Sequence, residues 1–98
     1  MPVYYINTYD IINEEEYAKY GPPVMQLLQR YGAEVLASDR QAIPVEGTLK
    51  RMNALIKFPS EEAALQCYND PEYQPLKAIR WGSTANCTMT LVHGLNNH

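Results

Sequence analysis

Cysteine and histidine are scarce in this chain, and basic charge is thin: its 98 residues hold two Cys, two His and eight Lys plus Arg. Each shortage closes a class of function. Cys67 and Cys87 stand without a CxxC or any metal-ligand spacing, so they read as buried free thiols rather than a disulfide framework or a zinc site. A net charge of −3, with Lys50-Arg51 as the one adjacent basic pair, argues against a nucleic-acid partner held through phosphates. No apolar run approaches membrane-spanning length, and Met1 to Tyr9 lacks both a basic n-region and an apolar h-region. The expectation is a cytoplasmic protein without a membrane partner. A carboxylate pair, a Ser/His/Asp motif and a phosphate-binding glycine loop are missing too, so neither a cofactor nor a metal is expected.

What the chain does have is tyrosine: eight, against one Phe and one Trp. Its length suits a single domain over residues 1–98, near the lower end of what folds alone. A partner subunit would be a natural supplement to so small a core.

The order of elements follows from local signals. Val3 to Tyr9 is dense in β-branched and aromatic residues and reads as a strand. Asn13 caps a helix with Glu16 in the capping-box position, and Glu14 to Glu16 sit at the positive end of its dipole. Pro22-Pro23 forces a break at Gly21 and a restart, with Val24, Leu27, Leu28 and Tyr31 as the buried stripe and Gly32 as the stop. "AEVLAS" is a strand, and "AIPVEG" a short extended return limited by Pro44. Leu49 to Phe58 alternates cleanly, with Met52, Ala54, Ile56 and Phe58 on one face. Ser60 caps the next helix, where Ala64, Cys67 and Tyr68 should meet the sheet. Asp70-Pro71 starts another, in which Pro75 implies a short, tight or restarted helix burying Leu76 and Ile79. Asn86 to Gly94 is the last strand, and "LNNH" a frayed tail.

This βαββαβ order predicts an α+β, ferredoxin-like fold whose four-stranded antiparallel sheet carries helices on one face. Tyr5, Tyr9, Leu55 and Val92 are expected on the other face, as a patch that seeks a second copy.

One stretch goes further. A strand ending in Phe58-Pro59-Ser60, then Glu62-Ala63, Tyr68, Asp70-Pro71-Glu72-Tyr73-Gln74 and Arg80, resembles the domain-of-unknown-function family numbered 1330. That family lies within the dimeric α/β-barrel superfamily. Tyr17, Tyr20, Tyr31-Gly32, Glu46-Gly47 and Gly94 extend the resemblance along the chain. It implies a homodimer whose two sheets face each other as a barrel. Relatives in the wider superfamily include cofactor-independent monooxygenases, isomerases and dehydratases acting on small aromatic or polyketide-like molecules. The family itself implies no single reaction.

Candidate residues are few. His93 suits a general base at neutral pH, or is a solvent-facing strand-end residue. Glu46 is a general acid or ligand anchor, or a turn residue paired with Arg51. Arg80-Trp81 could hold a carboxylate or enolate while stacking a ring, or could simply finish a helix. Tyr17, Tyr20, Tyr68 and Tyr73 lie on elements covering one sheet face, and buried phenols must find polar partners. Tyr17, Tyr20, Tyr73, Arg80 and Trp81 are thus the expected ligand-binding set, with Arg80 as anchor. The reading is a homodimer that binds or transforms a small aromatic or oxo-acid molecule without cofactor. The alternative is a non-catalytic small-ligand-binding or assembly module.

Overall fold

The computed structural model describes residues 2–95. Strand β1 (Val3–Ile11) is followed by a short helix α1 (Glu14–Tyr17), helix α2 (Gly21–Arg30), strands β2 (Glu34–Asp39) and β3 (Met52–Phe58), helices α3 (Glu61–Asn69) and α4 (Tyr73–Ser83), and strand β4 (Thr84–His93). The sheet is antiparallel throughout, in the order β2-β3-β1-β4. This is the ferredoxin-like α+β arrangement. The sheet stays open, and its helices cover one face. The frayed-tail expectation for Asn96 to His98 lies outside the described residues.

Local chemistry sets the boundaries. Asn13 accepts the Glu16 amide at 3.1 Å, and Ser60 accepts that of Ala63 at the same distance, so both helix starts are side-chain capped. Pro22 and Pro23 sit in the first turn of α2, where an amide needs no intrahelical partner. That helix ends in paired bonds, Ala33 N–H to the Leu28 carbonyl and Gly32 N–H to that of Gln29. The motif requires the left-handed φ of +72° that Gly32 supplies.

Two expectations about breaks are corrected. Asp70 does not cap α4 directly. Its carboxylate takes the Glu72 amide at 2.8 Å and its carbonyl takes that of Tyr73, forming a turn before the helix. Pro75 is then the third residue of a continuous 11-residue helix and interrupts nothing, because its missing N–H lies in the first turn. The extended return over 42–47 does not form either. Those residues make an irregular loop with Ile43 and Val45 exposed, and β3 starts only at Met52. Just before it, the Arg51 amide bonds to the Asp10 side chain instead of a strand.

Period-two geometry fixes the two faces. Val3, Tyr5, Asn7 and Tyr9 are all buried under the helices, opposite Phe58, Ile56, Ala54 and Met52 of β3. The core there joins Val3 and Phe58 to Leu27, Leu28, Ala64 and Cys67. Tyr5 and Tyr9 are therefore not on the open face, as the sequence suggested. They share a face with Val3, and only Leu55 and Val92 of that expected patch look outward. Their neighbours on the open face are Ile6, opposite Leu55, and Tyr4, opposite Val92.

Candidate functional site

The register that buries Asn7 also leaves a hole above it. Asn7 lies opposite Ala54 on one side and Met89 on the other, so its row of the sheet has one very small member. Tyr5 and Tyr9, two residues away along β1, spend their length reaching the helices. The Tyr5 hydroxyl donates to the Ala64 carbonyl at 3.1 Å, and the Tyr9 and Tyr17 hydroxyls meet at 2.5 Å. Between these two pillars is a cavity of about 250 Å³. Asn7, Ala54, Ile56 and Met89 floor it; Tyr17, Tyr20, Val24 and Leu28 cover one side, and Cys67, Tyr68 and Tyr73 the other.

Its walls are mostly apolar, and two of its polar features stand out. The first is Asn7, only 8% exposed, whose side-chain oxygen has almost no accessible surface and no hydrogen-bond partner among the described residues. A buried polar atom left so costs roughly 1–3 kcal/mol, which a fold carries for a reason. The second is a ladder of groups: the Tyr20 and Tyr73 hydroxyls lie 3.2 Å apart, and Arg80 Nη2 donates to the Tyr73 oxygen at 3.2 Å. The other end of the guanidinium donates to Cys87 Sγ at 2.7 Å.

Arg80 is 3% exposed, and no carboxylate among the described residues pairs with it. Burial works against its charge, but Tyr73, Tyr20 and Cys87 outweigh that and hold its pKa above the ordinary guanidinium value. The phenols move the other way in charge. Burial, reinforced by the neighbouring hydroxyls, raises the Tyr20 and Tyr9 pKa values well above that of free tyrosine, and Tyr5 is pushed up to about 12. At neutral pH the cavity thus presents neutral O–H donors backed by one buried cation. Among the described residues, no His, Asp, Glu, Lys or Arg lines it. Such a site can favour negative charge developing on a ligand oxygen, but holds no conventional base.

The expected site residues fall into three groups. Tyr17, Tyr20 and Tyr73 line the cavity. Arg80 stands one layer behind, touching it through Tyr73. Trp81, Glu46 and His93 lie elsewhere. Trp81 is 57% exposed on the outer side of α4, with Lys77 over its ring, because the next residue on a helix points about 100° away from Arg80. Glu46 is exposed in the 42–50 loop, against a shallow depression, and His93 is exposed and bonded to Glu61 at 2.7 Å. Among the described residues no three His, Cys, Asp or Glu come together to hold a metal. The sequence reading passed over Asn7, although one signal was visible: an amide at the centre of the stripe Val3, Tyr5, Asn7, Tyr9.

A cavity between helices and an open ferredoxin-like sheet, approached by Tyr73 and Arg80 from the Phe58–Gly82 connection, is consistent with the sequence resemblance. The sequence profile described as a domain of unknown function (DUF1330) matches residues 2–95. The chain belongs to this family. No curated protein matches it. Among solved structures, this DUF1330 domain is similar to the RPA0582 protein of unknown function from Rhodopseudomonas palustris, with 18% identity, a TM-score of 0.83, and coverage of 97% of this chain and 83% of that one. It is also similar to SnoaB, a cofactor-independent oxygenase from Streptomyces nogalater, at 11% identity and a TM-score of 0.68, covering 98% and 95% of the two chains. A dimeric protein of unknown function with a ferredoxin-like fold from Bacteroides fragilis matches at 9% identity and a TM-score of 0.58, covering 95% and 96%. At these identities the likeness shows the fold alone. No helix among the described residues of this DUF1330 domain is long and apolar enough to cross a membrane.

Proposed function

We propose that this protein is a homodimer whose sheet–helix cavity binds a small aromatic or oxo-acid molecule and stabilises negative charge on its oxygen, without a cofactor. The observation that carries the reading is a mostly apolar cavity of about 250 Å³ walled by tyrosines, with the buried Arg80 guanidinium bonded to Tyr73 behind it. The volume lies just below the usual range for small-molecule sites, roughly 300–1,000 Å³, and suits a single ring. Tyr17, Tyr20 and Tyr73 are its walls, and Arg80 supplies the positive field. The likeness to a cofactor-independent oxygenase supports chemistry on a bound ligand, whereas the missing base in the lining supports binding and polarisation. His93 and Glu46 have no part in this proposal.

The open face supports the dimer. Tyr4, Ile6, Leu55 and Val92 lie on it, Ile43 and Val45 project exposed from the loop between β2 and β3, and a dimeric protein shares the fold. The test is mass spectrometry of small molecules released by denaturing the purified protein, together with melting curves against a library of single-ring acids, ketones and phenols. A co-purified ring compound or a raised melting temperature is expected. If no small molecule is released and no compound shifts the melt, the reading fails.

A further inference from the structure

We propose that the ligand carries a carboxylate, held at the cavity mouth by Arg40 in place of Glu14 while its ring fills the cavity. The inference rests on the ligand-binding reading above and names the ligand's charged group.

The cavity meets solvent where its lining residues are exposed. Met25 and Ser38 are such residues, so the mouth lies between α2 and β2. Ser38 shares a row of the sheet with Ala54 and Asn7, and its hydroxyl has only the Met52 sulfur, a weak acceptor 3.6 Å away, as partner. Two residues on, just past the end of β2, the Arg40 guanidinium lies 5.4 Å from the centre of the Tyr17 ring, which walls the cavity. Glu14 first, and then the Tyr17 and Tyr9 hydroxyls, favour its charge and hold its pKa above the ordinary guanidinium value. The cation is therefore close to the hydroxyl pair as well as to the ring. That pair is part-buried, and one of its two hydrogens bridges the oxygens, which leaves the other for a ligand. A cation, a phenol hydrogen and a serine hydroxyl thus meet at the mouth, from β1, α1 and the end of β2.

Arg40 already takes a carboxylate there. Both bonds leave from Nη1, at 2.9 and 2.8 Å, for the two oxygens of Glu14. Nε and Nη2 have no acceptor among the described residues, so the two-nitrogen fork that suits a carboxylate best is open. Both side chains of the pair are exposed, and an ion pair so solvated holds weakly. A ligand gains what Glu14 lacks, the burial of a ring in apolar walls. Asp39, next to Arg40 in the chain, is turned to the Gln41 amide at 2.7 Å. Arg80 reaches the cavity only through Tyr73, so it supplies a field at the far end rather than a grip.

The probes are phenylacetate and 3-phenylpropionate, each beside its uncharged amide, with binding measured by calorimetry on the intact protein, Arg40→Gln and Glu14→Gln. At least one carboxylate should bind roughly tenfold tighter than its amide. Arg40→Gln removes that preference. Glu14→Gln frees the guanidinium and tightens the carboxylate a further two- to fivefold, roughly the worth of an exposed ion pair. The amide should bind all three forms alike, which shows that the cavity is intact in each. The proposal is overturned, and small-molecule binding stands, if the amides bind as well as the carboxylates or if the preference survives Arg40→Gln. It is also overturned if Glu14→Gln leaves the carboxylate no tighter, or if Arg40→Gln weakens the amide equally. If none of the four compounds binds any form, both readings fall.

Discussion

Along β1, neighbouring residues live under opposite rules. Tyr5, Asn7 and Tyr9 look into the helix-covered side, where every polar atom must be matched; Tyr4, Ile6 and Thr8 look out from the open side, where water can match them. The covered side nevertheless holds the unmatched atom, Asn7 Oδ1, and the open side holds exposed Ile6. Each face thus carries one exception to its own rule, and the proposed second copy would cover the one on the open side.

The largest expected effect breaks the open face. Ile6→Asp places a carboxylate beside Leu55 and Thr90, at the centre of the proposed dimer contact. Two such charges meeting in a dry interface should weaken association roughly a hundredfold or more, about 2.7 kcal/mol. Sedimentation should then show a monomer with unchanged far-ultraviolet circular dichroism. A dimer that persists removes the sheet face from the interface.

Next in size is a pH effect confined to the covered face. Tyr5 and Cys67 are pushed up to about 12 and 11 by burial, and Tyr9 and Tyr20 are raised too. With the folded pKa above the unfolded one, the native state keeps protons that the unfolded chain has released. The stabilisation is complete below roughly pH 9 and is lost as pH rises towards 12. Each group contributes a slope of at most about 1.4 kcal/mol per pH unit, reduced where water reaches the cavity. Urea midpoints from pH 8 to 11 should fall steadily. A flat profile means these hydroxyls are solvated and the cavity is wider than described.

These two faces also separate what the chain made legible from what it did not. The sequence of elements, the Asn13 and Ser60 caps, a helix break ahead of Pro22-Pro23 (which falls just before Gly21 rather than at it) and the Gly32 stop are local chemistry, and each was readable from a few neighbouring residues. Alternation in β1 was readable as well, but not which side meets the helices. That depends on the register of Val3 with Phe58 and on the stripe of α2, which are distant in sequence. Tyr5 and Tyr9 were misplaced for this reason. Arg80 and Tyr73 stood out because charge and aromaticity are visible in a sequence. Their placement relative to the cavity follows from the helical turn that sends Trp81 outward. Asn7 was passed over because its importance is an absence of partners, which exists only once the neighbours are in place.

A third outcome sharpens the covered side. Asn7→Leu removes the orphaned oxygen and fills space beside Ala54 and Met89, so the ligand-free protein should gain about 1 kcal/mol. Thermal unfolding measures it. A loss of 2 kcal/mol or more, on the order of a disrupted core, would assign Asn7 a structural role.

The smallest effect belongs to the open face again. Thr8 and Thr88 face each other across β1 and β4, their hydroxyls 2.6 Å apart and exposed. In an isolated chain Thr88→Val exchanges that bond for bonds to water, so the cost should be under about 0.5 kcal/mol. Valine is also a good strand residue, which trims the cost further. The same substitution within a closed dimer leaves the Thr8 hydroxyl without its partner in a dry contact, where an unpaired group costs roughly 1–3 kcal/mol. Thr88→Val should therefore be nearly silent at low protein concentration and destabilising where the dimer predominates. Unfolding at two concentrations a hundredfold apart reads this directly. Equal effects at both would place the threonine pair outside the interface, and with it the adjoining half of the open face.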